Sequence, residues 1–450
     1  MKTRISLLCS FVLLLCTSVR AQQRMSLDEA IQAGLENNFQ IRLAKADVDV
    51  ANNNNNDALT GKAPTISVGI SPGISYRNNS NPASIVSKSA TFSYSVAPTA
   101  NLNWTIFNGG RIEMNKERLD QLAQLSSAQL QLQVETSVAG IINAYNQAVV
   151  QQEQITVLQR ILGLSRDRIK YQEVRSEFGQ GGTFEALQAR DAFLSDSSNL
   201  IIQQTNVEIA VRNLLQQIGE ANLNQKVTLT TPLEVDSENY DPAALEEQLL
   251  ASNPQLRTLR MNEDLAATNT RLIETEYKPT ISFTAGANYD INIATGTQTF
   301  DFGGDQPVRE LELPGVAART LSGQLGLTAS YLIYDGGARD VRKQTARLQE
   351  ITSKLNTESV GQQLRATLQN TLSRYENQLD IIAITESLIS NAEQNIGIAE
   401  ERFKGGRINS FDYRAIQLSL VNAEFQLLNA QLNLKNTETE ILRLTGQIVD

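Results

Sequence analysis

TISFTAGANYDINI, residues 280–293, alternates apolar and polar side chains without a break. Ile281, Phe283, Ala285, Ala287, Tyr289, Ile291 and Ile293 fall on one parity. Ser282, Thr284, Gly286, Asn288, Asp290 and Asn292 fall on the other. A period of two sends successive side chains to opposite faces of a strand. Residues 321–334 repeat the pattern, with Leu321, Gly323, Leu325, Leu327, Ala329, Tyr331 and Ile333 against Ser322, Gln324, Gly326, Thr328 and Ser330. Two earlier stretches, about 65–77 and 89–106, do the same; in the second, Phe92, Tyr94, Val96, Ala100, Leu102 and Trp104 oppose Ser93, Ser95, Thr99, Asn101, Asn103 and Thr105. Soluble strands are typically five or six residues long, whereas a membrane-crossing strand needs about 9–11. Aromatic residues sit near the strand ends (Tyr76, Phe92, Trp104, Phe107, Tyr331 and Tyr334), where interfacial girdles belong. The pattern predicts membrane β-strands, with residues 78–91 and 294–320 as exterior loops.

Four strands cannot close a barrel, and an open sheet edge in lipid leaves backbone groups unpaired at several kcal/mol each. Several copies must therefore share one barrel. Two copies give eight strands, whose lumen side chains fill; three give twelve and leave a bore.

Outward from the strands, the chain is one unit written twice. KAPTISV at 62–68 returns as KPTISF at 278–283, and IFNGGR at 106–111 as IYDGGAR at 333–339. FGQGGTFEALQA at 178–189 is answered by FKGGRINSFDYRAIQ at 403–417, and LLQQIG at 214–219 by LRLTG at 442–446. The first repeat spans 22–219 and the second 241–446. A linker at 220–240 carries KVTLTT and Pro232, and 447–450 form a tail. Each repeat orders a helical segment, two strands, a very long helix, a Gly-rich turn and a second long helix. The proline-free segment from Arg111 to about Arg175 would extend about 100 Å as one helix. Ile416, Leu420, Ala423, Leu427, Ala430, Leu434, Thr437, Ile441 and Leu444 are spaced four and three in alternation. Phe193, Leu200, Val207 and Leu214 form one stripe of sevens, and Leu187, Leu194 and Ile201 begin a second. A sustained 3.5-residue period supercoils helices, and two stripes demand neighbours on two sides, as in a ring of helices.

Lys2 and Arg4, then the apolar run ISLLCSFVLLLC, then Val19 and Ala21 describe a secretory signal peptide over residues 1–21, cleaved before Gln22. Lipidation at Cys16 is the alternative; Leu15 stands where that modification wants a small residue. Both cysteines, Cys9 and Cys16, lie in this peptide, and the chain has no histidine. The formal charge of −10 becomes more negative once Lys2, Arg4 and Arg20 are removed, so nucleic acid is not an expected partner. No nucleophile–base pair, phosphate loop or metal-ligand spacing is present, and neither enzyme activity nor a cofactor is expected. Gly109-Gly110 and Gly336-Gly337 mark the strand-to-helix junctions, with Asn108 and Asp335 placed to cap the helices that follow.

These landmarks resemble the TolC-like outer-membrane efflux proteins over about residues 24–446. The residues that carry the likeness are SLDEAIQAGLENN at 26–38, APTIS at 63–67, FNGG, YDGG, the F-x-x-G turns and the heptad helices. The resemblance implies a homotrimer sharing one 12-stranded β-barrel, four strands per chain, on a long periplasmic α-helical barrel. It implies the outer membrane of a double-membraned bacterium, contact with outer-membrane lipid, a periplasmic adaptor protein and an inner-membrane pump. The function it implies is the exit duct of a tripartite efflux or type I secretion system with a gated periplasmic entrance. A periplasmic coiled-coil adaptor or secretion scaffold is the alternative; adaptors lack the paired membrane strands. By the same resemblance, Asp412 and Glu185 are entrance-gate candidates, and Arg402, Lys404 and Arg407 are gate ion-pair candidates. Gly181, Gly182, Gly405 and Gly406 are the adaptor-docking turns. Members of that family often carry a second carboxylate three residues beyond the Asp412 position, where this chain has Ala415. Asp412 and Glu185 also stand where a helix dipole favours a first-turn carboxylate, which needs no gate.

Overall fold

A computed structural model describes residues 23–179, 182–235 and 237–449; the expected signal peptide and Gly181 lie outside them. In chain order the elements are β1 (Gln23–Met25), α1 (Leu27–Asn37), α2 (Phe39–Asn54), α3 (Asp57–Thr60), β2 (Thr65–Ser80), β3 (Val86–Phe107), α4 (Arg111–Glu177) and α5 (Thr183–Gln217). The second half follows with β4 (Val227–Leu229), α6 (Pro242–Ser252), α7 (Pro254–Glu274), β5 (Thr280–Phe300), β6 (Arg309–Ser330), α8 (Ala338–Lys404) and α9 (Ser410–Thr445). The chain divides into two compact units.

The unit formed by residues 49–125 and 261–354 holds one antiparallel sheet in the order β2-β3-β5-β6. Both edges, β2 and β6, are open in the single chain. The apolar parity is bare: Ile66, Val68, Leu321 and Leu325 are 72, 82, 76 and 79% exposed. The strands outrun the alternation that revealed them. Residues 294–320, expected as a loop, are mostly strand, because β5 and β6 pair up to Phe300↔Arg309. The alternation stops there for a local reason. Ala294 pairs with Val316 but Thr295 pairs with Pro314, so Gly315, at φ +84°, is bulged out and the outward parity of β6 changes. Similarly, β2 and β3 run to Ser80 and from Val86, leaving only a short turn where 78–91 was expected as a loop. At the other end, β6 stops at Ser330, and Tyr331–Tyr334 lie outside the ladder.

The run of asparagines at 52–56 ends α2 and restarts the chain. Asn56 caps α3 by accepting from Ala58 N at 3.0 Å, and Asn55 accepts from Lys116 Nζ at 2.5 Å.

The second unit, residues 23–48, 126–260 and 355–449 among those described, is helical apart from the parallel pair β1–β4. The 220–240 linker supplies β4 of that pair. Ser26 and Glu29 cap α1 reciprocally. The internal repeat recurs in its polar joints. Buried Asn38 caps α2 and donates to Gln217 O at 2.6 Å; buried Asn253 caps α7 and donates to Leu444 O at 2.9 Å. Tyr145 Oη donates to Met25 O at 3.0 Å and accepts from Thr230 N and Thr231 N. Its counterpart, Tyr375 Oη, accepts from Glu238 N and donates to Glu238 O. One tyrosine from each repeat therefore pins the linker. Two apolar cores lie around these joints, one centred on Ile141, Tyr145, Leu214 and Ile218 and the other on Leu249, Leu368, Leu434 and Leu444. On α9, Leu420, Ala423, Ala430, Leu434, Ile441 and Leu444 of the expected stripe are buried. On α5, Leu187, Leu194 and Ile201 remain 56, 59 and 63% exposed. No helix among the described residues is long and apolar enough to cross a membrane.

Candidate functional site at the helical hairpin turns

The turns that end α4 and α8 lie in the same unit, and the fold brings them together. At the second turn the chain closes α8 with Gly405 N donating to Glu401 O (2.9 Å), Gly406 N to Phe403 O (3.0 Å) and Arg407 N to Arg402 O (2.8 Å). Gly406 takes φ +70°, which a side chain disfavours. Asn409 then caps α9, accepting from Asp412 N at 2.8 Å. At the first turn α5 begins after Gly182, which offers no side-chain cap. The Glu185 carboxylate folds back into the space that a Gly182 side chain would occupy.

A groove of about 350 Å³ runs between the turns, lined by Gln172, Arg175, Gly182, Glu185, Arg407 and Asp412 among others. Two carboxylates, Glu185 and Asp412, thus share one space with two guanidiniums, Arg175 and Arg407. Arg175 also lies over the Tyr171 ring, 5.8 Å from its centroid. The remaining basic candidates do not bridge the turns. Lys404 pairs with Glu400 one turn back on α8 at 2.6 Å, which raises the lysine pKa. Arg402 and Arg407 form no ion pair among the described residues. No grouping of metal-ligating side chains occurs among those residues either.

Behind the groove lies an aromatic stack. Phe403 lies between Tyr171 and Tyr413, with centroids 4.8 Å away on each side, and Tyr171 Oη donates to the carbonyls of Phe403 and Lys404 at 3.2 and 3.1 Å. This ties α4 to the end of α8.

Deeper in the same helices is a polar cluster that sequence reasoning missed. Asp196 on α5 accepts from Ser165 Oγ and pairs with Arg414 on α9. Arg168 is only 3% exposed, and its Nε has no hydrogen-bond partner. Burial first, and Arg414 beside it second, push the Arg168 guanidinium down to about 10, against the pull of Asp196. Gln417 is fully buried beside Tyr413. A signal for this layer existed. Ala189, Asp196, Gln203 and Ala210 recur at sevens and form the buried stripe of α5, but two of the four are polar and the apolar stripes beside them drew attention instead.

At the junctions, Asn108 Oδ1 accepts from Ile112 N at 3.2 Å and Asp335 Oδ2 from Arg339 N at 3.0 Å, and all four glycines take positive φ. Gly109 is the crowded one: a Cβ there would lie 2.8 Å from Thr275 O and against Lys278. Gly110, Gly336 and Gly337 have more room.

Long amphipathic strands with a bare apolar face, alternating along the chain with paired heptad helices, are the pattern of an outer-membrane channel. The chain belongs to the outer membrane efflux protein family, whose model matches residues 30–220 and 245–447. This is a family of channel proteins, and the chain is a protein of the outer membrane. By sequence alone it matches no curated protein. Among solved structures it is similar to the outer-membrane channel OprN (18% identity, 94% of this chain and 90% of that one, TM-score 0.73). The Campylobacter jejuni CmeC outer-membrane channel is similar too (14%, 94% and 85%, TM-score 0.73). So is the open state of the Neisseria gonorrhoeae MtrE outer-membrane channel (18%, 93% and 88%, TM-score 0.69).

Proposed function

We propose that this chain is the outer-membrane exit duct of a tripartite efflux or type I secretion system, working as a homotrimer with one shared 12-stranded barrel. The observation that carries the reading is the four-stranded sheet with both edges open and one face bare and apolar. In lipid those edges must pair with other copies, and three copies leave a bore. The exposed Leu187, Leu194 and Ile201 stripe supports the same assembly, because a ring of helices needs contacts on both sides. Substrate arrives through an inner-membrane pump and a periplasmic adaptor that engages the turns at Gly181, Gly182, Gly405 and Gly406.

Glu185 and Asp412 are the gate carboxylates in this reading, with Arg407 and Arg175 as their counter-charges and Arg402 and Lys404 flanking. Three copies of the groove would ring the entrance with mixed charge. Projection imaging of the detergent-purified protein tests the assembly. A three-fold tube with a detergent belt at one end is expected; rods without a belt would put the chain among periplasmic adaptors instead. Single-channel recording tests the gate. Asp412→Asn and Glu185→Gln should each reduce cation selectivity and cation block, and unchanged values would remove these carboxylates from the gate.

A further inference from the structure

Up to the row of Tyr76 and Phe92 the outward face of the sheet is apolar row by row, with one cation set into it; Lys88 lies farther out, in the row of Thr299 and Glu310. Trp104, Phe283 and Leu327 pair across β3, β5 and β6, and Ile66, Leu102, Ala285 and Leu325 form a row across all four strands. Farther from the helices, toward the hairpin loops, the row Pro72, Val96, Ile291 ends on Arg319. Cross-strand partners share a face, so Arg319 points outward with Ile291. The next rows are Ile74, Tyr94, Ile293, Ala317 and then Tyr76, Phe92, Thr295, Pro314, the upper aromatic level. From Leu327 and Ala329 to Arg319 is eight to ten residues, about 27–34 Å along a strand and about 21–26 Å along the membrane normal at a tilt of about 40°. An outward apolar band is about 25 Å tall. Arg319 therefore stands at the upper rim of the band, at headgroup level in the outer leaflet.

Protein offers it no counter-charge. Arg319 is exposed and forms no ion pair among the described residues. Asp290, the acid of β5, pairs with Thr320 on the opposite parity. Glu312 and Glu310 lie well above, in the rows of Thr297 and Thr299. As β6 is an edge strand, the next strand in a closed barrel would be β2 of another copy, and β2 contains no Asp or Glu. A guanidinium is costly in mid-bilayer and tolerated at its edge, and its planar fork fits phosphate oxygens bidentately.

We propose that Arg319 is a lipid-phosphate site that holds a phosphorylated glycolipid of the outer leaflet against the barrel rim. The inference rests on the reading of this face as lipid-facing, which can be checked independently because Trp104, on the same face, is the sole tryptophan of the chain. In vesicles, quenching of Trp104 by brominated acyl chains establishes the face; absence of quenching would overturn the face and the site together. Binding is then measured by native mass spectrometry on the full-length mature protein, with bisphosphorylated lipid A, its dephosphorylated form and phosphatidylglycerol as probes. Arg319→Leu suits a lipid-facing position and should leave the oligomer intact, while Arg319→Lys keeps the charge without the fork. Wild type should prefer the bisphosphorylated form over the dephosphorylated one by about tenfold or more, Arg319→Leu should lose that preference, and Arg319→Lys should keep part of it. Equal, Arg319-dependent binding of phosphatidylglycerol would keep the phosphate site but overturn its assignment to the glycolipid. With Trp104 quenched and Arg319→Leu binding lipid A as wild type does, the phosphate site itself is overturned.

Discussion

Replacing Asp196 should destabilise the helices near the turns more than replacing Arg414, although the two form one ion pair. The cluster contains two guanidiniums, Arg168 and Arg414, and one carboxylate, Asp196, itself 2% exposed. Asp196→Asn removes the cluster's only negative charge and leaves buried Arg168 facing the half-buried Arg414. Stripping one partner from a buried pair costs about 3–5 kcal/mol, and here the repulsion between the arginines adds to it. Arg414→Met leaves Asp196 with Ser165 and with Arg168, which already interacts with it electrostatically, so the cost falls to about 1–2 kcal/mol. Arg168→Met removes the cation that burial penalises and should be neutral or stabilising by about 1–2 kcal/mol. Hydrogen exchange of the detergent-solubilised protein, followed on peptides covering 190–200 and 410–420, reads these differences locally. The expected order of protection is Arg168→Met at or above wild type, then Arg414→Met, then Asp196→Asn, the last exchanging about a hundredfold faster or more than wild type at 1.4 kcal/mol per decade. If Asp196→Asn is no worse than Arg414→Met, the charge accounting is wrong and Arg168 does not belong to the cluster electrically.

Gly109→Ala should cost about 3 kcal/mol or more and Gly336→Ala about 1 kcal/mol, since only Gly109 combines positive φ with the close approach of Thr275 O; thermal melts of the assembled protein separate them. Tyr145→Phe leaves Thr231 N without its partner and Met25 O and Thr230 N with only each other, at about 1–3 kcal/mol, and should speed exchange at 227–231. Ile201→Lys places a charge on the bare stripe of α5, where the side chain is 63% exposed in one chain; it should leave the monomer fold intact and weaken the oligomer, seen as monomer on native gels.

Periodicity made the strands, the heptad helices and the repeat legible, because each apolar side chain repeats the same instruction. The Pro314-Gly315 bulge hid the upper half of β6, since one extra residue reverses parity and makes a strand look like a loop. Within the site, the two Gly-rich turns and their first-turn carboxylates could be placed from F-x-x-G alone. Arg175 could not: it lies before its turn and reaches the groove only through the packing of α4. Asp196 and Gln203 occupy core heptad positions, but a polar residue at such a position reads as an outward one until its partners on α4 and α9 are known. Asn38, Asn253, Tyr145 and Tyr375 were illegible for the same reason, since what they bind is backbone far away in sequence.

The distribution of these polar joints has a consequence for movement. Around the linker, the two large cores pack leucines and isoleucines to near-zero exposure, so separating those helices exposes apolar surface at about 25 cal/mol per Å². Toward the turns the apolar clusters shrink to Val157, Leu158, Ile161 and Val421, then to Ala399, Phe403 and Tyr413, and the space between them is filled by Ser165, Arg168, Asp196, Arg414 and Gln417. Those groups regain hydration when the helices part, so separation there costs less per unit of area than in the leucine cores. The proposed gate, opening at the turns while the rest of the helices stay packed, would draw on that gradient. Exchange protection should therefore fall along α4 and α9 from the linker joints to the turns, and flat protection along both helices would mean that the polar layer does not soften the tip.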